Sequence, residues 1–424
     1  MSLRRELGLL HATMMGLGST ICAGIFVILS PAIEIAGPAV ILSFLLCGII
    51  NMATMLSYCE LGAAMPRVGG EYAYAKEAFK GFPGFLTGWY EWSSNIFYAT
   101  LMVLGSAYML SYITSINKFL ITISLVILFT LINIKGIKEA GTIQTLLTST
   151  LLAIIFLFIG TGLAHSFRSN AFEPFMPKGP LSMIAAIAFI FETYLGVEAI
   201  AAAQAEIKKP GKTIPRAMIL CSLILIIVYC LIVYVALGII STDVLSKSLT
   251  PLNLVAEKTM GGVGVILLTA AGLIAALTSL NSAIIASSRA AYAMSKNGHF
   301  PKALRKVHEH CKTPYVAIVS GSILVTFFSI IDNLELIVYS INFGFLIGFS
   351  LVNLSLIKLR QSKPHLNRPF KTPLYPLMPI IGIITSLMLL AFFDIKPLAF
   401  GITWGLLGSI IYFLKKKIKH YSIR

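Results

Sequence analysis

The sequence has few charged residues for its length. Only 12% of its 424 residues are Asp, Glu, Lys or Arg, whereas 57% are hydrophobic. Soluble globular proteins carry about 25% charged residues. The scarcity of charge therefore excludes an ordinary soluble domain and indicates an integral membrane protein, most of which lies in the lipid bilayer.

The sequence also lacks the common motifs of enzymes and metal sites. Its six cysteines include no CxxC pair, so neither a zinc site nor a disulfide framework is indicated. No HExxH and no GxSxG are present to supply a metal site or a nucleophile with its base. We therefore expect a protein that is not an enzyme and that needs no cofactor and no metal.

Twelve apolar segments are each long enough to cross a bilayer, which takes about 17–25 residues. They are 9–33, 39–62, 82–113, 119–135, 141–165, 181–204, 216–240, 261–291, 314–331, 334–357, 374–394 and 397–414. The pattern predicts an all-α membrane protein with 12 transmembrane helices. An even number of crossings places both termini on one side of the membrane.

The basic residues are divided unequally between the two sides that these spans define. All but six of the 33 Lys and Arg residues fall on the side of the termini. Because positive residues are retained on the cytoplasmic side, we expect a multi-pass protein of the cell membrane with cytoplasmic N- and C-termini. This topology explains the formal net charge of +16, so the charge does not indicate a nucleic-acid partner.

The first span contains an unusual run of small residues. Gly16, Gly18 and Gly24 recur through its middle, with Ser19 and Thr20 between them. Each glycine costs a helix interior about 1 kcal/mol relative to alanine. Two interpretations remain open: a small-residue face for close helix packing, or a discontinuous helix whose freed backbone groups bind a ligand.

The sixth span carries two carboxylates within its apolar run. Glu192 and Glu198 flank Gly196. An ionisable side chain near a membrane helix centre costs about 3 kcal/mol on insertion scales, so it is rarely there without a role. Either the glutamates are neutral and hydrogen-bonded to neighbouring helices, or they take part in coupling and gating; Glu198 could also face a cytoplasmic crevice.

The two unusual spans are five spans apart, which predicts an inverted repeat with the substrate site at the bilayer midplane. Residues 1–165 would form the first repeat, 166–358 the second, and 359–424 two added spans with a basic cytoplasmic tail. Bare N–H groups at a broken helix suit a carboxylate, and freed carbonyls suit an ammonium. The pattern thus favours an α-amino acid as substrate.

Four stretches together resemble the amino acid–polyamine–organocation superfamily. They are Gly18–Phe26, Glu60–Tyr72 followed by Gly88-Trp89, Gly196–Ala217 and Ser279–Pro301. The resemblance implies a leucine-transporter-type 5+5 inverted repeat with discontinuous helices 1 and 6. It also implies a secondary active transporter, a permease or exchanger, that moves amino acids by alternating access.

The resemblance assigns residues to the substrate. The backbone of Cys22, Ala23 and Gly24 would hold the carboxylate, although Cys22 and Ala23 replace the glycine and serine usual in the family. The amino group would meet the carbonyls of Thr20 and of Leu195, which lies beside Gly196. Tyr194 would lie where an aromatic gate often closes.

Two further residues complete the candidate site. Glu192 occupies a place that is usually apolar or aromatic, and it could pair with a cationic substrate, carry a coupling proton or bond to a neighbouring helix. Asn281, in the middle of the eighth span, is expected near the site, with an interhelical hydrogen bond as the alternative.

The coupling ion stays open between proton and sodium. The position that carries a lysine in some relatives' fifth helix is Leu151 here, which disfavours a lysine-based proton mechanism. Thr278 and Ser279 offer oxygens for sodium, but small hydroxyls are common in membrane packing. Ion-free exchange, or protonation of Glu192 or Glu198, is also possible.

The alternative functions are a polyamine or organocation permease of the same fold, which Glu192 favours, and a non-transporting amino acid sensor. A sensor would be expected to carry a soluble domain. A channel is disfavoured because broken helices at a central site favour alternating access.

Overall fold

A computed structural model describes residues 4–22, 24–331, 334–391 and 395–421. These residues form sixteen α-helices and no β-strand beyond an isolated bridge between Leu7 and Ile207, so the predicted all-α class is confirmed for them. In chain order the helices are α1 (Leu9–Thr20), α2 (Gly24–Ala36), α3 (Val40–Ala64), α4 (Gly70–Phe79), α5 (Gly81–Thr114), α6 (Lys118–Lys135), α7 (Ile137–Ala164), α8 (Pro180–Ile190), α9 (Ala199–Ala202), α10 (Pro210–Ile239), α11 (Thr242–Lys247), α12 (Pro251–Lys296), α13 (Tyr315–Ile331), α14 (Leu334–Ser362), α15 (Leu377–Ala391) and α16 (Ile395–Tyr421).

Seven helical stretches of the described chain are long and apolar enough to cross a membrane, and α13 and α15 are shorter apolar helices. The twelve crossings expected from the sequence stay a prediction. The first and sixth spans are each divided into pieces too short to cross alone. α1 has 12 residues, α2 has 13 and α8 has 11.

The interruption of the first span lies where the sequence places its glycines. α1 ends at Thr20, Ile21 and Cys22 leave the helical conformation, and α2 begins at Gly24. Ala23, one of the predicted site residues, lies outside the described residues.

The glycines of α1 serve packing rather than the break itself. A Cβ on Gly16 would lie 2.8 Å from Cys221 Sγ in α10, and one on Gly18 would lie 2.1 Å from Thr148 Oγ1 in α7. The span therefore combines a small-residue packing face up to Gly18 with a break after Thr20, and ligand binding at that break stays a prediction.

The interruption of the sixth span is longer. A 3₁₀ helix, Phe191–Tyr194, follows α8 directly, and a turn then leads to the short α9. Gly196 within this turn has φ of +132°, a conformation that residues with a side chain rarely adopt. Glu192 and Glu198 thus lie on irregular backbone, as their position beside a glycine suggested.

The two broken helices lie at the centre of the packed helices. α1 packs against α7, α10 and α12, while α2 packs against α8 and α11. The segment between the second and third predicted spans contains α4, in which Tyr72 and Tyr74 are buried. α4 packs against α5 and α14, so this segment is part of the folded bundle.

Candidate functional site

The two helix breaks touch each other. A Cβ on Gly196 would lie 2.6 Å from the carbonyl carbon of Ser19 and 2.7 Å from the amide nitrogen of Thr20. Carbon atoms cannot approach backbone so closely, which means that only glycine fits at this point. The break of one helix is therefore built against the end of the other.

Hydroxyl groups from distant helices cover the carbonyl end of α1. Tyr98 in α5 donates to the Ser19 carbonyl at 2.9 Å. Ser279 in α12 lies 3.1 Å from the same oxygen and 3.2 Å from the carbonyl oxygen of Gly18. The last carbonyls of a helix have no partner within the helix, so these hydroxyls supply the missing donors.

A third hydroxyl joins the two breaks. The Tyr229 hydroxyl of α10 lies 3.1 Å from the Thr20 carbonyl oxygen and 2.9 Å from that of Thr193. Its ring packs edge-on against Tyr194, with ring centroids 5.2 Å apart. Tyr229 thus contacts one freed carbonyl from each interrupted helix, which is the arrangement that an ammonium group would also favour.

The start of α2 presents backbone donors beside Cys22. The amide N–H of Gly24 donates to Cys22 Sγ at 3.3 Å, and the N–H of Cys22 donates to the Thr20 carbonyl at 2.7 Å. Cys22 is buried, with 2% of its surface exposed. The first N–H groups of a helix carry positive partial charge, so this end is suited to an anionic group.

Glu198 caps its own helix break. Its Oε2 accepts a hydrogen bond from the N–H of Gly196 at 2.9 Å, and the residue is buried. The sequence left open a cytoplasmic crevice for Glu198. The structure places its carboxylate on the freed backbone of the turn, and the crevice stays a prediction.

Tyr194 is held against α3. Its hydroxyl donates to the Phe44 carbonyl at 2.8 Å, and its own carbonyl accepts from Asn51 Nδ2 at 2.8 Å. A Cβ on Gly48 would lie 3.0 Å from the Tyr194 ring. These contacts give Tyr194 a structural role in this conformation, whereas its expected role as an aromatic gate stays a prediction.

Glu192 lies beside α14. Asn342 in α14 lies 3.5 Å from Glu192 Oε2, and both residues line a cavity of about 30 Å³ together with Leu195. Oδ1 of Asn342 is buried without a hydrogen-bond partner among the described residues. No cation lines this cavity, so the described residues supply Glu192 with an amide neighbour only.

Asn281 lies in a cluster of amides beside α1. Its Nδ2 donates to Gln144 Oε1 at 2.8 Å, and its Oδ1 accepts from Asn133 Nδ2 at 2.8 Å. Gln144 in turn lies close to Gly18, where a Cβ would be 2.6 Å from its Nε2. The structure therefore brings Asn281 near the end of α1 but places it in the interhelical hydrogen bonds that were the alternative.

Several residues of the site could not be found by reading the sequence. Tyr98, Tyr229, Asn51 and Asn342 lie in four different helices and share no motif with the breaks. The signal that they carry is weak: each is a polar side chain in an apolar run. Many such side chains in this protein hydrogen-bond within their own helix instead, as Thr100 does.

A bundle of apolar helices whose two broken members meet at its centre defines a class of protein: an integral membrane transporter. The amino acid permease family model matches residues 7–414 of the chain, which therefore belongs to the amino acid permease family. The predicted superfamily is confirmed, as is the prediction that the protein is a transporter and not an enzyme.

Three relatives from Bacillus subtilis align with almost the whole chain. The branched-chain amino acid permease BcaP is 26% identical, and the alignment covers 100% of this chain and 95% of the relative. The methylthioribose transporter is 28% identical, with 99% and 95% covered. The serine/threonine exchanger SteT is also 28% identical, with 98% of each chain covered.

Proposed function

We propose that this protein is a secondary active transporter that exchanges amino acids across the cell membrane by alternating access. The observation that carries the proposal is the contact of the two helix breaks through Gly196. The carbonyl end of α1 lies against the turn of the sixth span, Tyr229 contacts the carbonyls of Thr20 and Thr193, and α2 begins at Gly24. A zwitterion satisfies the N–H groups of a helix start and freed carbonyls at once.

The architecture that we infer has twelve crossings in the leucine-transporter arrangement. The first crossing consists of α1 with α2, and the sixth of α8 with the following 3₁₀ helix and α9. The other ten are α3, α5, α6, α7, α10, α12, α13, α14, α15 and α16. Each proposed repeat, 1–165 and 166–358, then begins with an interrupted helix, and 359–424 adds the last two spans and a basic tail.

The orientation that we infer places both termini in the cytoplasm. Only Lys118, Arg168, Lys178, Lys247, Lys258 and Lys396 fall on the opposite side among 33 basic residues. Retention of positive charge on the cytoplasmic side supports this choice.

In the binding mode that we propose, the substrate carboxylate lies at the N–H groups from Cys22 to Gly24. Its amino group approaches the carbonyls of Thr20 and Leu195. The Tyr229 hydroxyl, which contacts Thr20 in this conformation, would have to share or release that carbonyl. Binding is therefore expected to rearrange Tyr229.

Exchange is the coupling mode that we favour. One relative is named a serine/threonine exchanger. In this chain the carbonyls of Gly18 and Ser19 are within hydrogen-bonding distance of Ser279, so a sodium ion would have to compete for the same oxygens. Coupling to a proton or to sodium is the alternative, with Glu192 and Glu198 as the candidate proton carriers.

Two other substrate classes, polyamines or other organocations and methylthioribose, are the alternatives to an amino acid. Glu192 is a half-buried carboxylate, which favours a polyamine or another organocation as substrate. The relative named a methylthioribose transporter is 28% identical to this chain, as is the serine/threonine exchanger. Sequence similarity alone therefore does not select an amino acid as the substrate. The paired donors and carbonyls at the breaks are what favour the zwitterion.

The decisive experiment is a thermal-shift screen of the purified protein against amino acids, common polyamines and methylthioribose. A ligand at about 100 times its Kd stabilises the folded state by about 2.7 kcal/mol. We expect amino acids alone to raise the melting temperature. Stabilisation only by polyamines or by methylthioribose would contradict the proposal.

Transport itself separates an exchanger from a sensor. Liposomes that contain the protein and are loaded with unlabelled amino acid should accumulate the labelled form, whereas empty liposomes should not. A sensor would bind amino acids in the thermal-shift screen and yet show no accumulation in either kind of liposome.

A further inference from the structure

A cavity of about 550 Å³ lies on the face to which we assign both termini. Its walls come from the N-terminal segment, the loop after α3, the turn after α9 and the end of α12. The charged residues that line it are Arg5, Arg67 and Lys296, and no acidic residue lines it within the described chain.

A fourth cation lies at the edge of this cavity. Lys76 Nζ contacts the side-chain oxygen of Asn297, which is one of the lining residues. Of the cations that line the cavity, Arg67 has a carboxylate partner: its Nη1 lies 3.4 Å from Glu77 Oε2. Glu77 also contacts Lys363 and lies near Lys76, so its single charge is shared among three cations.

Two further carboxylates of this face are already paired with arginines. Glu206 is held by Arg289, and Glu60 is held by both Arg360 and Arg368. Within the part of the chain that the structure describes, neither Arg5 nor Lys296 has a carboxylate within salt-bridge distance. Retention of basic residues on one side explains their presence, but it does not explain their convergence on one concave site without counter-ions.

We propose that this cavity is a binding site for a phosphate-bearing anion, with Arg5, Arg67 and Lys296 as its ligands. Guanidinium groups bind phosphate oxygens through two parallel hydrogen bonds, and a lysine adds a point charge. The volume exceeds that of a phosphate group, so it admits the remainder of a lipid headgroup. The source is either an anionic lipid or free phosphate.

Different contacts join the four walls of the cavity to each other. Leu7 pairs with Ile207, and Gln204 Nε2 donates to the Arg67 carbonyl at 2.7 Å, so three of the walls are tied to each other. The end of α12, which carries Lys296, forms the remaining wall, and Arg289 earlier in this helix is ion-paired with Glu206. An anion that bridges Lys296 to the two arginines holds this face in the conformation described.

The binding site does not depend on which substrate the protein carries, but its effect on transport rests on the proposed function. An anion that holds this face together slows its opening. Phosphate or anionic lipid should therefore reduce the rate of amino acid exchange, whereas amino acid binding in the thermal-shift screen is measured separately. If no anion binds the cavity, the proposed amino acid transport still stands, and if no amino acid binds, the proposed anion site still stands.

The test compares two double variants that remove the same charge. Arg5→Gln/Lys296→Gln removes two ligands of the cavity, and Lys302→Gln/Arg305→Gln removes two exposed cations that do not line it. Melting temperature is measured in detergent with inorganic phosphate against chloride at constant ionic strength. It is also measured in nanodiscs of phosphatidylglycerol against phosphatidylcholine.

We expect phosphate, phosphatidylglycerol or both to stabilise the wild type and the control variant. The cavity variant should bind at least about tenfold more weakly, since each lost charge-assisted bond typically costs that factor or more. A response to phosphatidylglycerol alone identifies a lipid headgroup, and a response to free phosphate identifies a soluble anion. No response to either anion, or an equal response in all three proteins, would overturn the proposal.

Discussion

At the scale of single residues, the site is organised by side chains that complete the backbone of the broken helices. Tyr229 is the clearest example, because one hydroxyl faces a carbonyl from each break. Such a group competes with a substrate ammonium for the same oxygens. Its removal therefore tests whether those oxygens take part in binding.

The Tyr229→Phe variant should bind amino acids more tightly. Loss of the hydroxyl frees the Thr20 and Thr193 carbonyls, and a neutral hydrogen bond is worth about 1 kcal/mol, or roughly a fivefold change in Kd. Calorimetric titration measures the effect, with the corresponding acid that lacks the amino group as a ligand that should show no gain. Tyr234→Phe in the same helix is the control. Weaker binding in Tyr229→Phe would mean that the hydroxyl itself contacts the substrate.

The Glu192→Gln variant tests the most unusual residue of the sixth span. Glu192 has an amide neighbour, Asn342, and no cation beside it in the cavity that they share. If its charge selects substrates, the variant should lose about tenfold in uptake of cationic relative to neutral amino acids, the factor that about 1.4 kcal/mol gives.

Competition uptake across a range of pH measures that selectivity in Glu192→Gln. The exposed Glu257 supplies the matched control, Glu257→Gln. Unchanged selectivity and pH dependence for every substrate would remove Glu192 from the binding and coupling machinery and leave it as a partner of α14.

At the scale of helices, the breaks were predictable because their cause is local. Glycine lowers helix propensity and a carboxylate is costly in an apolar run, so Gly16–Gly24 and Glu192–Glu198 were visible in the sequence, although Gly16 and Gly18 serve packing. The covering residues were not, since Tyr98 and Ser19 are hydrogen-bonded although 79 positions apart. Asn281 shows how far the sequence could predict the site. Its position in the middle of the eighth span indicated that it is buried, but its hydrogen-bond partners lie in two other helices and could not be predicted.

The Gly196→Ala variant tests the contact between the two breaks. Alanine at φ of +132° is strained, and its Cβ would overlap the backbone of Ser19 and Thr20, which cannot move as a side chain can. Strain of this kind costs about 1–3 kcal/mol before the overlap is counted. We expect a lower melting temperature together with loss of amino acid binding.

Gly160→Ala supplies the control for that substitution. A Cβ on Gly160, which lies within α7, would meet no atom within 4 Å, so alanine there should be neutral or stabilising. Full binding in Gly196→Ala, at a melting temperature equal to that of the control, would show that the breaks do not need to touch.

At the scale of the whole molecule, buried ion pairs join distant parts of the chain on the face of the termini. Arg289 of α12 donates to Glu206 at 2.9 Å and 3.1 Å, and both side chains are only 1% exposed. The carbonyl of Glu206 also accepts from the N–H groups of Glu6 and Leu7. This one residue therefore connects the N-terminal segment, the exit of the sixth span and α12.

A double-mutant cycle tests how much this connection contributes. Arg289→Met alone leaves Glu206 buried without its partner, which typically destabilises a protein by about 3–5 kcal/mol. Arg289→Met/Glu206→Met removes both charges and should recover much of that loss, because desolvation of the pair is removed along with its attraction. Arg4→Gln, at an exposed pair 4.0 Å apart, should change stability by less than about 1 kcal/mol. Melting temperatures of the wild type, of Arg289→Met, of Glu206→Met and of the double variant measure the cycle. If the double variant is as unstable as the sum of its single variants, the two charges act independently, and the buried pair is not what holds these segments together.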